Sequence, residues 1–186
     1  MQQALLIVDM QNDYFPDGSM PLVNIENAAA NAKSLLERFR ADNLPVIHVQ
    51  HISNRSGATF FLPETSGAEI CSALRPLPGE TVVIKHYPNS FRETGLADLL
   101  TQQHIKHLVV CGAMSHMCID TTVRAAFDLG FLCTLAADAC ATRDLHFMDT
   151  PVPAAQVHNA FMAALNGLFA RVMTADDYLT TKHRGR

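Results

Sequence analysis

Six short runs that are apolar on both faces, separated by helical patterns, constrain this chain more than any other feature. They are ALLIVD (4–9), PVIHVQ (45–50), TVVIK (81–85), HLVVCG (107–112), FLCTLAAD (131–138) and RVMTA (171–175). A strand without a polar face must be covered on both sides, and strands that alternate with helices are joined by crossovers and run parallel. The expected fold class is α/β: a three-layer α/β/α arrangement around a six-stranded parallel sheet. Residues 24–42 place Ile25, Ala28, Ala32, Leu35, Leu36 and Phe39 on one helix face, with Asn24 as the N-cap. A short helical piece is expected near 67–74 and a helix from Thr94 to Gln103. A third helix follows Cys118, turns Val123, Ala126 and Phe127 inward, and stops at Gly130. The last long helix is expected over 150–170, with Thr150 as cap and Pro151 at its first position.

The pattern has no repeat or linker, so residues 1–180 are expected to form one domain, with the basic end of the chain, 181–186, as a disordered tail. A formal charge of −4 gives no footing for nucleic acid. No stretch reaches the roughly 18 apolar residues of a membrane helix. The first apolar run begins at residue 4 and meets Asp9 at once, unlike a secretory leader. The five cysteines, at 71, 111, 118, 133 and 140, are odd in number and lack CxxC spacing. Reduced thiols in a cytoplasmic protein are the expectation, and no Cys/His pair has the usual zinc spacing.

Ligands of open parallel sheets bind outside the carboxyl ends of the strands, near the switch in strand order. Strand one ends in Asp9, strand three in Lys85 and strand five in Asp138, while strand four leads into the turn GAMSHMC that carries Cys118. Singly, each has an ordinary explanation: a turn cap, an edge charge, a buried inert thiol. Together they supply a proton acceptor, a cation and a nucleophile. A helix N-terminus and a nearby lysine both favour a thiolate, so Cys118 is expected to have a lowered pKa, with Asp9 taking its proton. Asp138 is expected to tie down the loop after strand five, and Asp120 with Arg124 to form a surface pair.

Three segments, ALLIVDMQNDYF, GETVVIKHYPNSFRETGLADLL and VVCGAMSHMCIDTTVRAAFDLGF, resemble the isochorismatase-like cysteine hydrolases, the superfamily of nicotinamidases and N-carbamoylsarcosine amidohydrolase. Order and spacing agree to about residue 179. The resemblance implies strand order 3-2-1-4-5-6 and an Asp-Lys-Cys triad on Asp9, Lys85 and Cys118. It also implies a non-proline cis peptide between Ala113 and Met114, and an oxyanion hole formed by the amides of Met114 and Cys118. With this order Lys85 lies two strands from Asp9 and must reach back along the rim.

The implied activity is cleavage of a C–N bond in a small amide or ureido compound through a thioester. The nicotinamidase metal ligands are not matched, since His51 and Ser53 fall where an Asp and a His would stand. No metal and no cofactor are therefore expected, and the partners implied are a small-molecule substrate and copies of the same chain, as a dimer or tetramer. Phe15, His51, Phe60, Tyr87, Phe91, His116 and Ile119 are candidate pocket residues, with Phe61 and Asn89 beside them; His48 is read as a strand histidine. Two alternatives stay open: vinyl-ether hydrolysis of the isochorismatase type, against which the retained Cys118 argues, and a non-catalytic thiol-bearing binding or redox protein.

Overall fold

A computed structural model describes residues 2–181. The basic end at 182–186 lies outside the described residues. Six parallel strands form one sheet: β1 (Gln3–Val8), β2 (Val46–His51), β3 (Thr81–Lys85), β4 (His107–Ala113), β5 (Leu132–Ala141) and, late in the chain, β8 (Arg171–Met173). Their order is β3-β2-β1-β4-β5-β8, as the resemblance implies. The order reverses between β1 and β4, which places the ends of these two strands side by side: Val8 pairs with Gly112.

Helix α1 (Ile25–Ala41) and the C-terminal α5 (Ala175–Thr180) cover one face of the sheet. Helices α2 (Leu96–Gln102), α3 (Asp120–Asp128) and α4 (Ala154–Leu165) cover the other. Alternate residues of β1 feed the two cores: Leu5 and Ile7 face α1, while Ala4, Leu6 and Val8 face the opposite layer. The six α1 positions named from periodicity are all buried. Asn24, however, does not cap through its side chain, which accepts a hydrogen bond from Asn27 Nδ2 while its backbone is left-handed. The short piece near 67–74 is two 3-10 turns, Ser66–Ala68 and Ser72–Leu74. α3 stops before Gly130 at φ 87°, but Phe127 is 38% exposed, packing edge-on against Phe169 at the surface.

Two further expectations fail around β5. The strand does not end at Asp138 but continues to Ala141, with an irregularity opposite Val110–Gly112 that lets it follow β4 to the rim. The last helix does not begin at Thr150. Thr150–Val152 is β7, paired antiparallel with β6 (Leu145–Phe147), and α4 starts only after Pro153. The Thr-Pro pair that reads as a helix start is equally compatible with the edge of a hairpin, where proline needs no amide partner.

Gly112 is the fixed point of the β1–β4 crossing. Its φ is 129°, and a Cβ there would lie 2.0 Å from the carbonyl oxygen of Val8. No other residue permits the two strand ends to approach so closely, and Asp9 follows Val8 directly.

Candidate active site

Asp9 leaves β1 in the left-handed region, φ 52°, a conformation that Asp tolerates better than most residues. Its amide donates to the carbonyl of Val49 on β2. Lys85 closes β3 at the register of His51 on β2. The long lysine stem spans the intervening strand, so the reach across the rim is made: Nζ donates to Asp9 Oδ2 at 2.7 Å and to Cys118 Sγ at 3.2 Å. It also meets Nδ1 of His51 at 2.9 Å and the carbonyl of Tyr87 at 3.1 Å. Asp9 and Lys85 are wholly buried.

Cys118 sits in a single π turn, Ser115–Ile119, between β4 and α3. The peptide joining Ala113 to Met114 is cis. The turn is tied to its surroundings through polar side chains: Ser115 Oγ lies 3.2 Å from the carbonyl of Ala141 and 2.9 Å from Nδ1 of His158. His116 Nδ1 lies 2.6 Å from Thr142 Oγ1.

Burial alone would lower the Lys85 pKa; Asp9 and Cys118 outweigh it, so the net shift is upward and the ammonium is retained. Cys118 departs from expectation. Burial pushes its thiol up, the Asp9 carboxylate adds to the rise, and the pull of Lys85 does not compensate. Cys118 thus rests as a thiol rather than a thiolate. Oδ1 of Asp9, buried and without a hydrogen-bond partner, is the unoccupied acceptor. His51 is neutral at physiological pH: burial lowers its pKa to about 4, and Lys85 adds to the fall.

Asp9, His51 and Cys118 each bring a ligand atom to within 4.8 Å of the others, a cluster from the ends of β1 and β2 and the turn after β4 that no linear spacing reveals. All three residues are already engaged by the Lys85 ammonium. A divalent ion does not fit there unless the lysine is displaced, because two cations would compete for the same donors.

A cavity of about 340 Å³ opens above Cys118. Of the candidate wall residues, His51, Phe60 and Tyr87 line it, together with Tyr14, Met114 and Met117. Phe15 does not: it borders a separate surface cleft with Asn12 and Pro16. Phe91 packs in the core layer and stacks on Phe131. His116 is turned toward Thr142 and Phe161, and Ile119 is fully buried under the sheet. Phe61 is buried behind the wall, its amide donating to Asp13 Oδ2 at 2.6 Å, and Asn89 accepts from the Phe91 amide. His48 pairs with Glu80 within β2's buried face at 2.9 Å. Asp138 Oδ1 receives the Ala175 amide at the start of α5, and Asp120 pairs with Arg124 as expected.

A family model for the isochorismatase domain matches residues 3–177. This chain belongs to the isochorismatase family of hydrolases. It is 54% identical to an isochorismatase family protein of Bacillus subtilis, YddQ, over 96% of this chain and 99% of that one. A streptothricin hydrolase of Streptomyces noursei is 36% identical, covering 88% of this chain and 59% of its own length. A ureidoacrylate amidohydrolase of Variovorax paradoxus is 26% identical over 95% of this chain and 79% of its own. Among solved structures, an isochorismatase of Pseudomonas putida superposes with a TM-score of 0.89 at 39% identity, covering 95% of this chain and 89% of that one. Its hydrolase relatives thus include amidohydrolases, and no helix of the described residues is long and apolar enough to cross a membrane.

Sequence reasoning missed Gln11 and Asp13, both buried in the segment after Asp9. Gln11 Nε2 donates to the carbonyls of His51 and Ala68, each at 2.8 Å, and Gln11 Oε1 accepts from the His51 amide at 2.7 Å. A polar amide three residues beyond the end of β1 is the only signal in the sequence, and it does not name its partner.

Proposed function

We propose that this isochorismatase-family chain hydrolyses a C–N bond of a small amide or ureido compound through a thioester on Cys118. The observation that carries the reading is the single ammonium, Lys85 Nζ, joining Asp9 Oδ2 and Cys118 Sγ in a buried cluster under an open cavity. Such a cluster fits nucleophile activation by a neighbouring base. As Sγ attacks the carbonyl carbon, the thiol proton passes to Asp9 Oδ1, and the carbonyl π electrons move to oxygen. Lys85 offsets the charge that shifts between sulfur and carboxylate.

The oxyanion is received by the amides of Met114 and Cys118, donors worth about 3–4 kcal/mol each in the transition state. Collapse of the tetrahedral adduct breaks the C–N bond, and Asp9 returns the proton to the departing nitrogen. Water then adds to the thioester while Asp9 takes its proton. The C–S bond breaks, the acid leaves, and Asp9 reprotonates the sulfur. A high resting thiol pKa suits this sequence: the proton leaves only as the S–C bond forms, with its acceptor already in place.

The test is ammonia release across a library of small primary amides and ureido compounds, with Cys118→Ala as the blank. Release by the native enzyme that is lost in the variant supports the reading. A native enzyme that releases no ammonia from any member, or a variant as active as the native, overturns it.

A further inference from the structure

The buried stripe of α4 is interrupted by a polar residue. Ala154, Met162 and Leu165 are buried along it, and His158, placed between Ala154 and Met162, is half-buried. Its Nδ1 lies 2.9 Å from Oγ of Ser115, a wholly buried residue of the turn that carries Cys118. The same Oγ is 3.2 Å from the carbonyl oxygen of Ala141, the last residue of β5.

Counting protons gives this chain a direction. A serine hydroxyl has one proton, and a carbonyl oxygen only accepts. Both contacts are hydrogen bonds only when Ser115 donates to Ala141 and His158 donates from Nδ1 to Ser115. Burial lowers the His158 pKa, so the ring is neutral at physiological pH and its single proton is the one on Nδ1.

The chain ends on the segment that bears the oxyanion donors. Ala113 pairs with Ala141 across β4 and β5, so Ala113 and Ser115, which flank Met114, are both tied to one residue of β5. The Met114 carbonyl accepts from the amides of Met117 and Ile119, which carries that placement past Cys118. Without the imidazole, the Ser115 hydroxyl loses the donor that orients it, and its tie to Ala141 weakens.

We propose that His158 is a positioning residue for acyl transfer at Cys118: through Ser115 and Ala141 it holds the amides of Met114 and Cys118 where the oxyanion forms. The inference rests on the reading above that these amides receive the oxyanion, and not on an amide being the substrate.

Two reagents separate this role from damage to the nucleophile. With p-nitrophenyl acetate, Sγ adds to the acetyl carbon, the carbonyl electrons move to oxygen, and collapse expels p-nitrophenolate as the thioester forms. With iodoacetamide, Sγ displaces iodide at a saturated carbon and no oxyanion forms. Both reactions remove the thiol proton, so their ratio cancels any change in Cys118 itself. Nitrophenolate absorbance and mass spectrometry of the Cys118 peptide give the rates.

His158→Leu should slow acetylation roughly ten- to hundredfold and leave alkylation within about twofold of native, because only the first reaction uses the oxyanion donors. His158→Asn, which keeps an N–H in the place of Nδ1, should recover most of the acetylation rate. Ser115→Ala removes the same link with a smaller change and decides the question if His158→Leu does not fold. It should show the same selective loss, and the double variant should lose no more than either alone. Acetylation at the native rate in both single variants, equal slowing toward both reagents, or an Asn variant no faster than the Leu variant overturns the proposal. So does a native Cys118 that iodoacetamide alkylates but the ester does not acetylate. Acetylation that depends on His158 in an enzyme releasing no ammonia from the amide library would remove the amide reading and leave the positioning role standing.

Discussion

The ammonium of Lys85 and the carboxylate of Asp9 are 2.7 Å apart, with both side chains wholly buried. Removing one partner of such a pair leaves an uncompensated charge, at a cost of about 3–5 kcal/mol. Lys85→Met should therefore destabilise the fold by that order, measured by urea unfolding, and abolish turnover. The double variant Lys85→Met/Asp9→Asn should recover much of the stability and none of the activity, because it removes both charges. Equal stability of Lys85→Met and the native protein would contradict the pairing.

The thiol of Cys118 is raised by burial and by Asp9 and only partly lowered by Lys85. Alkylation by iodoacetamide should therefore stay slow at pH 7 and climb only above the ordinary thiol value of about 8.5. Asp9→Asn removes a negative charge and should move the profile to lower pH. Native alkylation with a midpoint below pH 8 would show that Lys85 dominates instead.

His51 gains acid sensitivity from its burial. Its folded pKa is about 4, below the unfolded value of about 6.5. Between these two values the unfolded chain binds the extra proton, so stability is lost as the pH falls from about 6.5 toward 4. His51→Asn should flatten the dependence of the unfolding free energy on pH across that window. An unchanged slope would assign the acid sensitivity to other groups.

Gln11 makes three hydrogen bonds to backbone groups around His51 and Ala68. At about 1 kcal/mol net for each bond, with buried groups left unpaired, Gln11→Ala should cost roughly 2–3 kcal/mol. It should also lower kcat/KM more than a core substitution of equal cost, because it releases His51 at the cavity wall. A core variant such as Leu74→Ala, matched by its unfolding midpoint, provides the comparison.

Gly112→Ala places a methyl 2.0 Å from the Val8 carbonyl at a φ of 129°. The strand ends that hold Asp9 and the Cys118 turn would have to part. The expected result is a fall in soluble yield and in the unfolding midpoint well beyond that of Gly130→Ala, where a Cβ meets nothing.

What could be read from the chain followed from which constraint was local. Strands such as ALLIVD and HLVVCG are defined by their own residues, and Asp9 and Lys85 are placed by the strand ends and Cys118 by the turn that follows β4. The start of α4 was not legible, because Thr150 and Pro151 satisfy the grammar of a helix cap while their pairing with Leu145–Phe147 is made across a turn. Phe91, His116 and Ile119 stand near the right residues in sequence but point into other layers, a direction set by packing rather than by spacing. The lowered thiol pKa was expected from the lysine and the helix start. Burial beside a carboxylate, which depends on the folded environment, reverses it.

The central claim is that the acyl group of the substrate passes through Cys118. Rapid acid quench of the enzyme turning over an amide found by the ammonia screen, followed by mass spectrometry of the Cys118 peptide, tests it directly. The account predicts an adduct of the acyl mass on Cys118, labile to hydroxylamine and absent in Cys118→Ala, which should also lose turnover by at least about 10³-fold. Turnover retained within tenfold in Cys118→Ala, with no adduct on the native peptide, would contradict it.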